Sequence, residues 1–269
     1  MISIPSDFIA APGQPFDLST CPTRVDLFAS KSDARAAIKA NAKAIAPLAH
    51  RLYGEADRKL LIVLQGMDTS GKDGTTAAIF HRTPPLNVRV AGFKSPTKHE
   101  LARDYLWRVH NVVPAAGEIT LFNRSHYEDV LVVKVREFAD AATVEQRYDQ
   151  INDFERLLVE TGTTVLKCML HISPEVQAER LRARLVDPNK RWKFNPGDLE
   201  DRKLWPQFME AYETMVARTS TEHAPWHIIP SDSKKTRGAI ISGLVRETLE
   251  RMNPQYPDPG YREADFDIV

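Results

Sequence analysis

Five short apolar runs lie along the chain, separated by longer stretches of mixed character. The runs are Leu60–Gln65, Val88–Ala91, Ile119–Asn123, Thr164–Ile172 and Trp226–Pro230. A strand that is buried on both faces of a parallel sheet has such a continuous apolar sequence. We therefore predict strands that alternate with helices, which indicates an α/β fold with a parallel sheet and right-handed crossovers.

The stretches between the runs carry helix signals. Lys31–Tyr53 has apolar residues at helical spacing but contains Pro47, which predicts a kink or a break. Thr97–Glu100 and Thr143–Gln146 both match a capping box, and Ser173 precedes a proline suited to a first helical turn. The predicted helices are 31–53, 72–81, 97–110, one beside the second capping box with Val144, Tyr148, Ile151, Phe154 and Leu158 on its apolar face, one from 174, and 233–251.

Composition narrows the class of protein. The 269 residues have a formal net charge of zero, so any basic site has to be local. The two cysteines, Cys21 and Cys168, are far apart, which argues against a zinc site or a disulfide framework. The first residues do not resemble a secretory signal, and no apolar run has the length of a membrane span. We expect a cytoplasmic protein with an N-terminal arm (1–30), one main domain (31–252) and a C-terminal tail (253–269).

The strongest local signal is the stretch Gly66–Lys72, which follows a predicted strand and precedes a predicted helix. It matches the first seven positions of the GxxxxGK[ST] phosphate-binding loop. Glycines let successive backbone N–H groups face an anion, and the lysine supplies a mobile cation for a transferring phosphoryl group. The alternative is an ordinary glycine turn with a surface lysine. The predicted phosphate-binding residues here are Gly66, Thr69, Ser70, Gly71, Lys72, Asp73 and Gly74.

The loop departs from the pattern at Asp73, where a Ser or Thr would bind magnesium. The metal then needs another ligand, and Asp68 inside the loop is a candidate, because a carboxylate there would repel phosphate unless a divalent cation lay between them. A solvated or N-capping Asp68 is the alternative.

Two further strings carry charged residues. Arg124, Glu128 and Asp129 follow the Ile119–Asn123 strand, at the sheet edge where open α/β folds bind ligands. An arginine there can bind phosphate, and the carboxylates can bind a second metal or contact the acceptor.

A basic cluster lies within Arg180–Lys193, interrupted at Asp187-Pro188. Such a cluster is either a solvated helix face or a lid that closes over phosphates, as in kinases of small metabolites.

Three segments together resemble the polyphosphate kinase 2 family. They are GMDTSGKDG (66–74), FNRSHYEDVL (122–131) and DPNKRWKFNPGDLEDRKLW (187–205), and the resemblance spans roughly residues 30 to 250. It implies a thymidylate-kinase-like, P-loop kinase-like fold with a helical basic lid at about 180–205. It also implies magnesium-dependent transfer of phosphoryl groups between inorganic polyphosphate and nucleotides. The string Asn-Arg-Ser-His-Tyr-Glu-Asp resembles the subgroup that accepts both AMP and ADP.

The resemblance also implies roles for single residues. Lys72, Asp68 and Arg124 would be catalytic, and the lid residues Arg184, Lys190, Arg191 and Lys193 would bind phosphate. Arg124 and Glu128 would contact the nucleotide, and Asp68 and Asp129 would hold Mg²⁺, with Mn²⁺ as the alternative ion. Many relatives have aspartate where this chain has Asn123, which places the metal role on Asp129.

Other functions remain open at this stage. An ATP-dependent nucleotide kinase of the thymidylate type would need fewer lid cations, and a non-catalytic polyphosphate or nucleotide sensor would not need the catalytic trio. The expected partners are polyphosphate, a nucleoside mono- or diphosphate and a second copy of the chain, without nucleic acid or membrane. For His126, the three tryptophans at 107, 192 and 205, and Cys168 we expect packing rather than chemistry.

Overall fold

Five parallel strands form one sheet in the order β2-β3-β1-β4-β5. A computed structural model describes residues 8–262 and 265–267. The strands are β1 (Lys59–Gln65), β2 (Val88–Gly92), β3 (Ile119–Asn123), β4 (Thr163–His171) and β5 (Trp226–Pro230). All five lie where the apolar runs predict them, and β1 occupies the centre of the sheet.

Ten α-helices accompany the sheet within residues 8–262 and 265–267. They are α1 (Lys31–Glu55), α2 (Lys72–Phe80), α3 (Lys98–Leu101), α4 (Trp107–His110), α5 (Val132–Val135), α6 (Ala141–Glu160), α7 (Pro174–Val186), α8 (Gly197–Lys203), α9 (Trp205–Thr219) and α10 (Lys234–Met252). Short 3₁₀ helices lie at Leu18–Thr20, His126–Val130 and Arg191–Lys193. The parallel sheet flanked by helices confirms the predicted α/β class.

The core lies on both faces of the sheet. Leu61 and Val63 of β1 pack on one face with residues of α6 and α9, whereas Leu60, Ile62 and Leu64 pack on the other with residues of α1 and α10. Successive side chains of a strand point to opposite faces. Burial of both faces therefore explains why the β1 sequence is apolar at every position from 60 to 64.

Helix α1 runs without interruption through Pro47, so of the predicted kink or break, the break is wrong. A proline inside a helix costs about 3 kcal/mol. Burial of one large aliphatic side chain contributes roughly 1.5–3 kcal/mol, and α1 buries Ile45 and Leu52 completely on either side of the proline. Core packing therefore outweighs the local cost of Pro47.

The prediction of one helix from Thr97 to His110 is also wrong. The capping box is present, because the Thr97 hydroxyl accepts from the Glu100 amide at 3.3 Å and the Glu100 carboxylate accepts from the Thr97 amide at 2.6 Å. The helix nevertheless ends at Leu101. The Asp104 carboxylate then accepts from the Leu106 amide at 3.0 Å and so starts a separate turn that leads into α4.

The predicted position of the second capping box is wrong. Helix α6 begins two residues before Thr143, and its N-cap is Asp140, whose carboxylate accepts from the Thr143 amide at 2.7 Å. The apolar face of α6 is as predicted, with Val144, Tyr148, Ile151, Phe154 and Leu158 buried. The N-cap at Ser173 and the first-turn proline of α7 are confirmed, and the last predicted helix, α10, has its N-cap at Ser233.

The described part of the predicted N-terminal arm packs along the edge strand β5. The Ala10 amide donates to the Trp226 carbonyl at 2.9 Å, Ile9 forms an antiparallel bridge to His227, and Phe8 is buried. In the predicted tail, the Tyr256 hydroxyl lies 2.6 Å from Nδ1 of His50. Residues 1–7, 263–264 and 268–269 of these two segments lie outside the described residues. Among the described residues, no helix combines the length and apolar character needed to cross a membrane.

Candidate active site

The predicted phosphate loop connects the end of β1 to the start of α2, at the carboxyl edge of the sheet. Gly66 has φ 149° and Gly71 has φ 105°, a region in which residues with a Cβ are strained. A Cβ on Gly66 would also approach the Leu170 carbonyl oxygen to 2.6 Å. Both glycines are therefore needed for the loop to turn tightly between its strand and its helix.

Lys72 lies folded over its own loop and is only 8% exposed. Its Nζ donates to the carbonyl oxygens of Gly66 at 2.6 Å and Met67 at 3.3 Å. Burial lowers the pKa of Lys72 to about 8, and the charge of Arg124 acts in the same direction, while Asp68 opposes them. A nearby cation and burial both disfavour the ammonium form, so an anion in the loop would restore it.

Arg124 joins the tip of β3 to the phosphate loop. Its guanidinium pairs with the carboxylates of Asp68 and Glu128, the second at 3.3 Å. Its backbone is left-handed at φ 63°, and its amide donates to the Leu64 carbonyl at 3.1 Å. Burial would lower the pKa of Arg124, but Glu128 and Asp68 outweigh it and hold the pKa above the usual range. Three of the predicted site residues thus meet at one place.

Asp73, which replaces the usual hydroxyl residue, holds the lid to the loop. Its carboxylate accepts from Asn123 Nδ2 at 2.8 Å and from Lys193 Nζ at 3.1 Å. Burial opposes ionisation of Asp73, but these two donors keep its pKa below the ordinary value. The side chain is therefore a partner for cations, and contact with a phosphate would have to use the backbone N–H of Asp73.

The lid residues form ion pairs with neighbouring acids. Arg184 contacts Asp198 at 3.0 Å, and Lys190 contacts Asp187 at 2.6 Å. Arg184, Lys190 and Lys193 line a cavity of about 1480 Å³ together with the phosphate loop, Arg124 and Glu128. Arg191 instead donates from Nε to the Leu185 carbonyl at 3.2 Å and, among the described residues, is not part of the cavity lining.

Most of the chain is similar to known proteins. A family model described as Polyphosphate kinase 2 (PPK2) matches residues 28–257. The chain belongs to this family. It is 53% identical over 208 residues to the AMP/ADP-polyphosphate phosphotransferase of Meiothermus ruber, covering 77% of this chain and 78% of the relative. It is 34% identical to the ADP-polyphosphate phosphotransferase of Rhodopseudomonas palustris, covering 93% and 91%.

Solved structures agree with this assignment. The crystal structure of polyphosphate kinase 2 from Arthrobacter aurescens TC1 matches with a TM-score of 0.90 and 37% identity, covering 96% of this chain and 95% of that one. A putative polyphosphate kinase 2 from Pseudomonas aeruginosa PA01 matches with a TM-score of 0.82 and 31% identity, covering 88% of this chain and 51% of that one. The resemblance and the P-loop kinase-like fold predicted from the sequence are confirmed.

The two proposed metal ligands have different neighbours within the cavity. Asp68 pairs with Arg124, whereas Asp129 pairs with Arg147 at 3.1 Å. Burial raises the pKa of Asp129 to about 6, although Arg147 partly offsets it. No group of three or more His, Cys, Asp or Glu side chains is arranged to hold a metal ion in residues 8–262 and 265–267.

A magnesium ion bound partly by substrate fits this donor set. Mg²⁺ usually keeps several waters and takes one or two carboxylates together with substrate phosphate oxygens, rather than an all-protein cage. Asp68 lies on the phosphate loop, and Glu128 shares Arg124 with it. These residues suit an ion that reaches the protein with the phosphates.

Several cavity residues were not identified from the sequence. Arg108 stacks over Phe93 at 5.3 Å, and Arg147 stacks over Tyr105 at 4.8 Å. Others in the cavity lining include Asp198, Asp201, Lys234 and Arg237. Single charged residues on helices look like solvated positions in a sequence. Only the place of Arg237 in the first turns of a helix after a late strand was a usable signal.

The residues expected to pack are only partly as predicted. His126 is buried, with Nε2 3.3 Å from Glu155, and burial holds the pKa of the buried Cys168 thiol well above its usual range. Trp192 is the exception, because it is 77% exposed. Its indole donates to the Asn189 carbonyl at 3.1 Å, so it belongs to the lid surface and not to the core.

Proposed function

We propose that this protein transfers a phosphoryl group from inorganic polyphosphate to AMP and/or ADP, reversibly and with Mg²⁺. The observation that carries the proposal is that a phosphate loop, Arg124 and three lid cations face one cavity of about 1480 Å³. A nucleotide kinase needs the first two features. The density of lid cations, Arg184, Lys190 and Lys193, is what suits a long polyanion as donor.

The chain's own residues can perform the transfer by holding and neutralising charge. The loop N–H groups and Lys72 hold the terminal phosphoryl group of the donor. An oxygen of the acceptor phosphate attacks its phosphorus, the bridging P–O bond to the donor chain breaks, and the shortened polyphosphate leaves with the bond's electrons. No general base is needed, because the acceptor oxygen is already ionised. Mg²⁺ neutralises phosphate charge, and Asp68 with Asp129 or Glu128 would hold it.

Arg124 is the residue we place between donor and acceptor. Its carboxylate partners, Asp68 and Glu128, hold its guanidinium beside the phosphate loop. A guanidinium is planar and can bind two phosphate oxygens at once. Glu128 also accepts from Gln65 Nε2 at 2.9 Å, which fixes the orientation of its carboxylate beside Arg124. We place the nucleotide on the Glu128 side of this arginine.

The acceptor is proposed from the relatives. The relative from Meiothermus ruber is named for AMP and ADP, and the one from Rhodopseudomonas palustris for ADP. The test supplies purified protein with polyphosphate, magnesium and AMP, ADP, GMP or GDP in turn, and identifies products by chromatography. A clear preference for ATP over polyphosphate as donor would indicate a thymidylate-type kinase, and binding without turnover would indicate a sensor. The cytoplasmic location and the homo-oligomer remain predictions.

Substitution of the proposed metal ligands is expected to change the magnesium requirement. Asp68→Asn and Asp129→Asn should each raise the magnesium concentration that gives the half-maximal rate, because each removes an anionic oxygen ligand. Asp153→Asn is the control, since Asp153 is an exposed residue of α6 that pairs with Arg156. An unchanged magnesium requirement in both variants would show that the assignment is wrong.

Neutralising the lid cations is expected to weaken the binding of polyphosphate more than the binding of nucleotide. Replacing Lys190, Arg191 and Lys193 with glutamine should raise the KM for polyphosphate far more than the KM for ADP. The KM for polyphosphate should also depend less steeply on salt concentration. Each cation on a polyanion releases counterions, a rule established for nucleic acids.

A matched control for the lid variant exists on α1. Arg35, Lys39 and Lys43 are exposed and lie on one face of that helix, so replacing them removes the same charge away from the cavity lining. Both KM values should then stay as in the wild type. Equal losses for polyphosphate and ADP in the lid variant would mean that the cluster is an ordinary solvated face.

A further inference from the structure

The carbonyl groups of the phosphate loop are held by side chains. Lys72 donates to the carbonyls of Gly66 and Met67, and Gln177 Nε2 donates to that of Asp68 at 3.4 Å. Arg180 Nη1 donates to the Thr69 carbonyl at 3.0 Å, and Arg237 Nη1 donates to the Ser70 carbonyl at 2.8 Å. Every carbonyl from position 66 to 70 therefore has a side-chain donor. This leaves the loop amides for an anion, except that of Ser70, which donates to the Met67 carbonyl at 3.0 Å.

Arg237 is the most buried of the charged donors, with only 3% of its surface exposed. It lies in the first turns of α10, and its Nε also donates to the Thr75 hydroxyl of α2 at 3.0 Å. A single guanidinium thus joins α10 to the end of the phosphate loop and to the helix that follows it. Arg237 is also among the residues that line the cavity.

In the described part of the chain, the charge of Arg237 lacks a carboxylate partner. Within residues 8–262 and 265–267, neither Arg237 nor Arg180 forms an ion pair with an acid, and Arg237 is surrounded by carbonyl and hydroxyl oxygens. Burial lowers the pKa of Arg237 to about 9, and the charge of Arg180 adds to this effect. A buried cation is costly unless an anion accompanies it, so an anion bound in the loop would offset part of this cost.

Gly71 gives an independent sign that this arrangement is specific. A Cβ on Gly71 would fall onto the guanidinium of Arg237. The glycine is therefore required at this position not only for its φ of 105° but also because Arg237 occupies the space beside the loop. The missing side chain of Gly71 therefore leaves the space that the Arg237 guanidinium fills.

We infer that Arg237, assisted by Arg180, is a positioning residue for the reaction: it fixes the Ser70 carbonyl so that the loop amides face the phosphates, and its unpaired charge stabilises the bound polyanion. This inference rests on the proposed function. The two arginines come from α10 and from the lid helix α7, so they also tie the loop to the element that carries Arg184. Arg180 fastens the lid helix further by donating from Nη2 to the carbonyls of Ser231 and Asp232, each at 2.8 Å.

The test combines binding of inorganic tripolyphosphate with steady-state kinetics for Arg237→Lys, Arg237→Gln and Arg180→Lys. Loss of a charge-assisted hydrogen bond predicts affinity for tripolyphosphate weaker by roughly tenfold to a hundredfold in Arg237→Gln. Arg237→Lys keeps the charge and should recover part of that loss. The KM for polyphosphate should rise with the weaker binding while the KM for ADP changes little. Arg180→Lys should show a smaller effect of the same kind and keeps the inference testable if Arg237→Gln fails to fold.

The control is Arg58→Lys. Arg58 also donates to a backbone carbonyl, that of Met252, and pairs with Glu55, but it lies just before the start of β1, at the opposite edge of the sheet. It should leave tripolyphosphate affinity unchanged. Wild-type affinity in the folded Arg237 and Arg180 variants, or equal rises in both KM values, would overturn the inference. Arg237-dependent tripolyphosphate binding without wild-type turnover would overturn the proposed function and, with it, the positioning role of Arg237 in the reaction, while its role in polyanion binding would stand.

Discussion

Lys72→Ala is expected to lower kcat by a factor on the order of a hundred or more, because preorganised groups that neutralise transition-state charge have effects of this size. Lys72 is the buried cation of the phosphate loop, held by the Gly66 and Met67 carbonyls. The measurement is the steady-state rate with polyphosphate and ADP, accompanied by the unfolding midpoint, which should change little.

The matched control for Lys72 is Lys59→Ala. Lys59 also donates to a backbone carbonyl, that of Thr161 at 2.6 Å, but it lies at the start of β1, away from the phosphate loop. Its removal should leave kcat unchanged. Near-normal turnover in Lys72→Ala would remove the lysine from the mechanism. In the wild type, kcat/KM for polyphosphate should fall as pH rises through about 8, since burial lowers the pKa of Lys72 to about 8 and deprotonation removes its charge.

Lys167→Met is expected to destabilise the fold by about 3–5 kcal/mol, the usual cost of leaving a buried charge without its partner. Lys167 of β4 and Glu155 of α6 are completely buried and lie 2.6 Å apart. Lys167 also donates to the Tyr127 hydroxyl at 2.9 Å and to the Thr219 carbonyl at 2.6 Å. Burial alone would raise the pKa of Glu155, but Lys167 and His126 lower it to about 2.

Urea unfolding of single and double variants tests this expectation. Lys167→Met/Glu155→Gln should recover part of the loss, because the amide removes the stranded charge and its Oε1 can still accept from the Tyr127 hydroxyl. Arg156→Met on the same helix is the control, since Arg156 forms exposed ion pairs with Asp153 and Glu160 and contributes little. A stability loss in Lys167→Met no larger than in this control would contradict the prediction.

Only part of the candidate site could be predicted from residues that are neighbours in the sequence. The loop 66–74 could be predicted because its glycines, its lysine and its flanking strand and helix are neighbours in the sequence. Asp73 could be recognised as a departure from the usual motif, but its partners Asn123 and Lys193 could not, because they lie 50 and 120 positions away. Asp198 carried no local signal, and Arg237 carried only its place in the first turns of a helix after a late strand. Their roles depend on which helices reach the carboxyl edge of the sheet.

The sequence by itself determined the five strands, the α/β class, the phosphate loop and the cap at Ser173, because burial on both faces, tight turns and helix capping depend on neighbouring residues. The tertiary structure decided the course of α1 through Pro47 and the end of α3 at Leu101, where core packing and an aspartate turn prevailed over local preference. It also decided the strand order, and with it the pairing of Asp68 with Arg124. Strand order follows from how crossovers pack on the sheet, and that is a property of the whole chain.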